Sequence, residues 1–338
     1  MRMDALLRLA GRRRLDQVLV CDPANVRAFT GVASDNAVVT KEAVYTDFRY
    51  IPAARRVLKG TKLAVCDIKK LEGAMPCGSS GKRVGYESSI SHGRFLKLQK
   101  LFPRAKFVDI SKDLAAIRAV KTAEEIAALR AAARLSAEIW KEASGRFKAG
   151  MTELEMARVI RRLMAERGDG ESFDTIVCVG RNAAECHHEP DDTVWDGREP
   201  VLVDMGVKLG GVCSDMTRNI VPRRPSPRYR QAYDLVRRAH DAAIEAARPG
   251  MTAKALDKVA RDVIRAGGLG RRFGHALGHG VGYEIHEAPS VSQKGDLVLK
   301  EGMVFTIEPG VYIEGDIGIR IEDTVLLTAS GCEVLTTE

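Results

Sequence analysis

The sequence predicts an α+β protein: two similar helix-plus-hairpin halves form its C-terminal portion, and a smaller N-terminal α/β domain precedes them. Three observations point there. The chain repeats itself after one hundred residues: Ala149-Gly150-Met151-Thr152 opens one helical pattern and Pro249-Gly250-Met251-Thr252 opens another. The two patterns end at Gly168 and at Gly267-Gly268, and a segment bearing two carboxylates follows each. These segments align internally, Asp204-Met205-Gly206 with Glu308-Pro309-Gly310 and Asp215-Met216-Thr217 with Glu322-Asp323-Thr324. Thr152 and Thr252 are good N-caps in their own right, but chance helix starts would not keep the downstream matches in phase. Two copies do not make a solenoid. They suggest pseudo-twofold halves with a site between them.

In chain order, Met1–Leu7 followed by Arg12-Arg13-Arg14 reads as an amphipathic helix, because it lacks the unbroken apolar stretch of a signal peptide. Leu15–Cys21, Ala37–Thr40 and Lys62–Cys66 read as strands, and Ile51–Leu58 and Gly93–Phe102 as helices. From Lys112 to Phe147 the chain is alanine-rich and free of glycine until Gly145, which predicts one long helix. The domain boundary is placed at its start, giving residues 1–112 and 113–338.

Asp204 and Asp215 lie eleven residues apart, and Glu308 and Glu322 fourteen. A hairpin centred between Leu209 and Gly210 sets the first pair face to face. One centred on Gly315 does the same for the second. Directly opposed side chains have Cβ atoms roughly 4.5–5.5 Å apart, and like charges so placed repel unless a cation separates them. Four such carboxylates ask for one divalent ion, or two about 3.5–4 Å apart.

Five of the seven histidines fall in two clusters, His187-His188 and His275, His279, His286. The second cluster lies in Gly274-His275-Ala276-Leu277-Gly278-His279-Gly280-Val281-Gly282-Tyr283-Glu284-Ile285-His286-Glu287, too rich in glycine for a helix. It reads as a loop or strand passing close to a site. One imidazole with four carboxylates makes a mixed oxygen and nitrogen donor set. The other histidines would move protons or donate hydrogen bonds beside it.

Composition bounds the rest. Residues 1–120 carry 23 Lys+Arg against 11 Asp+Glu, so the net charge of +8 originates there. These basic residues are scattered and have no aromatic stacking motif among them, which reads as a solvated face; no nucleic-acid partner is expected. No run approaches the ~18 apolar residues of a membrane span, so no membrane partner is expected. Seven cysteines, at 21, 66, 77, 178, 186, 213 and 332, with no CxxC, fit reduced thiols and a cytoplasmic location.

With these residues in view, the chain resembles the pita-bread metallopeptidases, a group that includes aminopeptidase P, prolidase, methionine aminopeptidase and the metal-free creatinase. The resemblance spans nearly the whole length. It implies a C-terminal pita-bread fold with metal ligands Asp204, Asp215, His279, Glu308 and Glu322. Asp215 and Glu322 would contact both of two divalent ions, Asp204 one and His279 the other. Manganese suits so oxygen-rich a set, and cobalt or zinc fit the same ligands. Glu308, His286, His187 and His275 resemble the catalytic set: Glu308 the general base, His286 the group that polarises the carbonyl, His187 and His275 the substrate-binding walls. Arg320 resembles the arginine that supports the site and counts with the substrate-binding group.

Asn25–Gly31 and Tyr45–Tyr50 resemble the creatinase-type N-terminal domain, which methionine aminopeptidases lack. Creatinase lacks the metal ligands. That leaves proline-directed enzymes acting on short peptides with proline second, and the resemblance implies a homodimer. Prolidase-like dipeptidases often carry arginine after the HExP motif, whereas Ser290 follows His286-Glu287-Ala288-Pro289 here. The serine points to an Xaa-Pro aminopeptidase; the alternatives are an Xaa-Pro dipeptidase and a non-catalytic peptide-binding member of the fold. Cys186, where the family usually has proline, and Tyr283, where it usually has an aliphatic residue, depart from the pattern near the cleft.

Overall fold

The chain divides into two units with separate cores, Met1–Arg118 and Ala119–Glu338. A computed structural model describes residues 2–74 and 81–337; Cys77 lies outside them. In the first unit the order is α1 (Met3–Arg12), β1 (Gln17–Leu19), α2 (Pro23–Thr30), β2 (Ala37–Val39), β3 (Ala43–Thr46), α3 (Ile51–Val57), β4 (Ala64–Asp67), β5 (Arg83–Tyr86), α4 (His92–Leu101), β6 (Lys106–Asp109) and α5 (Ser111–Ala119). Two three-stranded sheets, β1-β5-β6 and β2-β3-β4, meet at the Val20–Val39 bridge. Leu19, Val38, Val84 and Phe102 pack in one core cluster of this unit. Helix α2 was not expected from sequence. Its eight residues are too few to show a period, and it is defined by its ends: Asp22 caps Ala24 and Asn25, and Gly31 closes it at φ 77°.

The single helix expected from Lys112 to Phe147 is two helices, α5 and α6 (Ala123–Arg146). The break has a local cause. Thr122 and Glu125 form a capping box that starts α6 afresh. The preceding residues run extended, with Val120 bridging Met303 and the Lys121 amide donating to the Gly302 carbonyl. Helix α5 belongs to the first unit, where Leu114 is buried and Arg118 donates to Asn25 at 2.9 Å.

The second unit continues with α7 (Glu153–Arg167), β7 (Ile176–Val179), β8 (Val201–Met205), β9 (Lys208–Leu209), β10 (Val212–Cys213), β11 (Met216–Ile220), α8 (Pro227–Ala246), α9 (Ala253–Ala266), β12 (Gly278–Gly280), β13 (Glu287–Val291), β14 (Val304–Ile307), β15 (Gly310–Ile313), β16 (Ile317–Arg320), β17 (Asp323–Leu327) and β18 (Cys332–Val334). The internal repeat is visible bond for bond. Thr152 caps α7 and bridges Val194; Thr252 caps α9 and bridges Val298. Gly150 and Gly250 donate to Trp195 and Leu299, whose amides donate back to Met151 and Met251. Each half packs its helices on its own sheet: α6 and α7 on β11-β8-β7, α8 and α9 on β13-β12-β14-β17-β18. The sheets join where Thr217 bridges Glu322.

Register decides which side chains meet. In the second half Gly310 pairs with Arg320 and Ile307 with Asp323, the register that centres on Gly315. In the first half Asp204 pairs with Thr217, not with Asp215. The turn lies at Gly210-Gly211, both at positive φ (58° and 79°), one step beyond the expected centre. Two consecutive left-handed positions close a two-residue hairpin whose twist matches its strands. The shift is even, so Asp204 and Asp215 are diagonal neighbours rather than opposed ones.

Candidate active site

One cavity of about 630 Å³ in the second unit brings together Asp204, Asp215, His279, Glu308 and Glu322. Asp204 projects from β8, Asp215 from the turn before β11, His279 from β12, and the glutamates from the ends of β14 and β17. The strand β12 can approach because its glycines carry no Cβ. A Cβ on Gly278 would lie 1.9 Å from the Thr306 carbonyl oxygen. The same glycines that argued against a helix allow His279 to sit beside the acids, its Nε2 3.5 Å from Asp215 Oδ2 and 3.4 Å from Glu308 Oε1. Its Nδ1 faces the Gly280 carbonyl at 3.2 Å. That contact suits a proton on Nδ1 and leaves the Nε2 lone pair towards the acids. Burial pushes the ring down to about 4, so it is neutral at pH 7.

The carboxylates are concentrated beyond what their surroundings neutralise. Asp215 and Glu322 are 4% and 2% exposed. Burial, then the other acids, push both well above the ordinary carboxylate range. Burial pushes Glu308 up to about 8, against the pull of Arg320. Arg320 donates to Asp204 Oδ2 at 2.6 Å, and Asp204 Oδ1 is buried with no hydrogen-bond partner. Donor atoms of Asp215, His279 and Glu322 lie within 4.8 Å of one another. An orphaned carboxylate oxygen, clustered acids and a neutral imidazole with a free lone pair fit a divalent cation.

The remaining expected residues line the same cavity, with differences in what they can do. The His286 ring stands 4.2 Å from that of His279, edge to face. His187 lines the wall. His275 has both nitrogens engaged, Nδ1 with the Ala276 carbonyl at 2.7 Å and Nε2 with the Tyr312 hydroxyl at 3.1 Å; burial pushes it down to about 4. Arg320 is 3% exposed. Its Nε donates to Thr217, Nη1 to Tyr312 and Nη2 to Asp204, so each of its nitrogens has a partner in the protein.

Cys186 lines the cavity with its Sγ 3.8 Å from Arg320 Nη1. Tyr283 instead packs against the cluster around Leu129 and Val281, away from the cavity lining.

Sequence reasoning missed four residues here. Thr217 ties Glu322 to Arg320, and Tyr312 ties His275 to it. The repeat held the signal for Thr217, since it aligns with Thr324, and each threonine bonds the opposite half: Thr217 Oγ1 to Glu322 Oε2 at 2.6 Å, Thr324 Oγ1 to the Asp215 carbonyl at 2.8 Å. Tyr312 faces Gly318 across the β15–β16 pair, a position no motif marks. Arg271 and Arg272 line the mouth.

Two helix-plus-sheet halves sharing an acid-lined cleft define a metal-dependent hydrolase of the pita-bread fold. The chain belongs to metallopeptidase family M24, whose family model matches residues 127–329. It is an exopeptidase of that family. The creatinase/prolidase N-terminal domain matches residues 2–120. An Xaa-Pro dipeptidase from Pyrococcus furiosus is 36% identical over 345 residues, covering 99% of this chain and 97% of the relative. The solved prolidase from Pyrococcus furiosus superposes with a TM-score of 0.88 at 34% identity, over 98% of this chain and 99% of that one. The X-Pro aminopeptidase from Thermotoga maritima MSB8 superposes at 0.89 with 32% identity, over 100% and 98%. Among the described residues no helix is long and apolar enough to cross a membrane.

Proposed function

We propose that this chain hydrolyses the bond between an N-terminal residue and a proline in second position of short peptides. The observation that carries the reading is the convergence of Asp204, Asp215, His279, Glu308 and Glu322 on one cavity beside His286. Those five residues would hold two divalent ions, with manganese favoured by the oxygen-rich donors. When bound, such ions supply positive charge that lowers the pKa of water and polarises a carbonyl.

The chain's own residues do the rest. Glu308, held by the Thr306 hydroxyl at 3.1 Å, takes the proton of the attacking water and returns it to the departing proline nitrogen. His286 donates to the oxygen that gains negative charge as the carbonyl becomes tetrahedral. His187 orients the substrate from the wall, and the His275 ring, locked between Ala276 and Tyr312, packs against it. Arg320 is a positioning residue. It fixes Asp204, and through Thr217 it also fixes Glu322.

Ser290 favours aminopeptidase action on longer peptides. The name of the Pyrococcus furiosus relative favours a dipeptidase. Hydrolysis of Xaa-Pro and Xaa-Pro-Yaa-Zaa peptides, with and without added manganese, tests both. Metal-dependent cleavage between Xaa and Pro in the longer peptide supports the aminopeptidase, and cleavage confined to the dipeptide supports the dipeptidase. Absence of cleavage with metal bound overturns the proline-directed reading.

A further inference from the structure

Resting on the exopeptidase reading, we infer that Arg271 and Arg272 form a carboxylate clamp at the cavity mouth, selecting peptides that carry a negative charge on the leaving-group side. Both arginines line the cavity that holds the acids and His286. They lie together on one 3-10 turn, Gly270–Arg272, shortly before the strand that carries His279.

What distinguishes them is the lack of a partner. Neither side chain has a hydrogen bond or ion pair among the described residues. The arginines around them do: Arg265 pairs with Asp262 at 2.9 Å, Arg228 with Asp316 at 2.8 Å and Arg261 with Asp257 at 2.8 Å. Two of these, Arg228 and Arg265, share the adjoining surface depression with Arg271 and Arg272. Local acids are therefore present, and they are taken by other arginines. The two cations left over border the cavity.

The cavity is thus polarised, with acids at its floor and paired guanidinium groups at its rim. A peptide zwitterion has the complementary arrangement, an ammonium at one end and a carboxylate at the other. Arginine suits this task better than lysine because its planar fork meets both carboxylate oxygens at once. The carboxylate has two sources, the free C-terminus directly after proline or an acidic side chain on the next residue. Both arginines are exposed, so screening limits the gain to roughly ten-fold, and added salt weakens it.

The test compares kcat/KM of the manganese-loaded enzyme on Xaa-Pro against Xaa-Pro-amide, and on Xaa-Pro-Glu-amide against Xaa-Pro-Gln-amide. Wild type is expected to prefer the charged member of one pair about ten-fold, through KM. Preference in the first pair assigns the clamp to the C-terminal carboxylate; preference in the second assigns it to a side chain. In Arg271→Gln/Arg272→Gln that ratio falls to near one, whereas in Arg265→Gln it stays at the wild-type value. Calorimetric affinity for proline against prolinamide gives a second readout, independent of turnover, for the C-terminal source. A ratio near one in both wild-type pairs, or an unchanged ratio in the double variant, overturns the clamp. Failure of wild type to cleave any of the four peptides strikes the exopeptidase reading instead, and equal affinity both for proline and prolinamide and for Pro-Glu-amide and Pro-Gln-amide would then dispose of the clamp as well.

Discussion

Arg320 and Asp204 form a buried pair in which only one carboxylate oxygen is satisfied: Oδ2 accepts from the guanidinium at 2.6 Å, while Oδ1 is enclosed without a partner. Removing one member of a buried pair leaves a stranded charge and costs about 3–5 kcal/mol. Arg320→Gln should lower the stability of the metal-free protein by that order in chemical denaturation. Arg320→Gln combined with Asp204→Asn should lose less than the two single losses together, because the second change removes the stranded charge.

Thr217 connects the acids to Arg320, donating to Glu322 and accepting from Nε at 2.9 Å. Groups that orient metal ligands are worth roughly 10–100-fold in metal affinity when removed. Thr217→Val should weaken manganese binding by that factor in a competition titration. Thr217→Ser keeps the hydroxyl and should recover most of the loss.

Protonation and metal binding should be linked. Glu308 rises from 4.5 to about 8 in the folded protein without metal, and burial raises Asp215 and Glu322 well above the usual range. A folded pKa above the unfolded value gives stability that is present at low pH and lost as pH climbs through the folded value. The metal-free protein should therefore lose stability between about pH 4.5 and pH 8, the window set by Glu308. A cation favours the ionised acids, so metal binding should expel protons and tighten as pH rises from 6 to 8. Calorimetry in buffers of different ionisation enthalpy reads the proton release directly.

Gly278→Ala should be damaging out of proportion to its size. The added methyl would meet the Thr306 carbonyl oxygen at 1.9 Å, on the strand beside the one that carries His279. The strand must move, with a loss of about 3 kcal/mol or more and a larger fall in metal affinity than in stability. Thermal denaturation with and without manganese separates the two effects.

Much of this architecture was legible before any coordinates, and the places where it was not have physical causes. The repeat was readable because turn chemistry and N-caps are local and recurred in phase at Gly150-Met151-Thr152 and Gly250-Met251-Thr252. The second hairpin's centre at Gly315 was readable for the same reason. The first was displaced because Gly210 and Gly211 both accept positive φ, and sequence alone does not say which neighbouring pair will make the turn. The split between α5 and α6 was hidden by strong helix formers on both sides of Thr122, and tertiary pairing with Met303 overrode them. Tyr312, Arg271 and Arg272 follow no period or spacing; only the folded chain brings them to the cavity.

The crossed threonines bear on how such a protein could have arisen. If the halves descend from one ancestral unit that paired with its own copy, each copy once reached the other's acidic residue through the same hydroxyl, a contact that now meets the carboxylate of Glu322 and the main-chain carbonyl of Asp215. Fusion let the copies diverge, one keeping aspartates 204 and 215 and the other glutamates 308 and 322. Thr217 now serves Glu322, Thr324 serves Asp215, and Arg320 of the later half serves Asp204 of the earlier. Each half depends on parts that only its sibling still encodes, so the duplication works as a ratchet: inheritance can vary either half, but it cannot discard one.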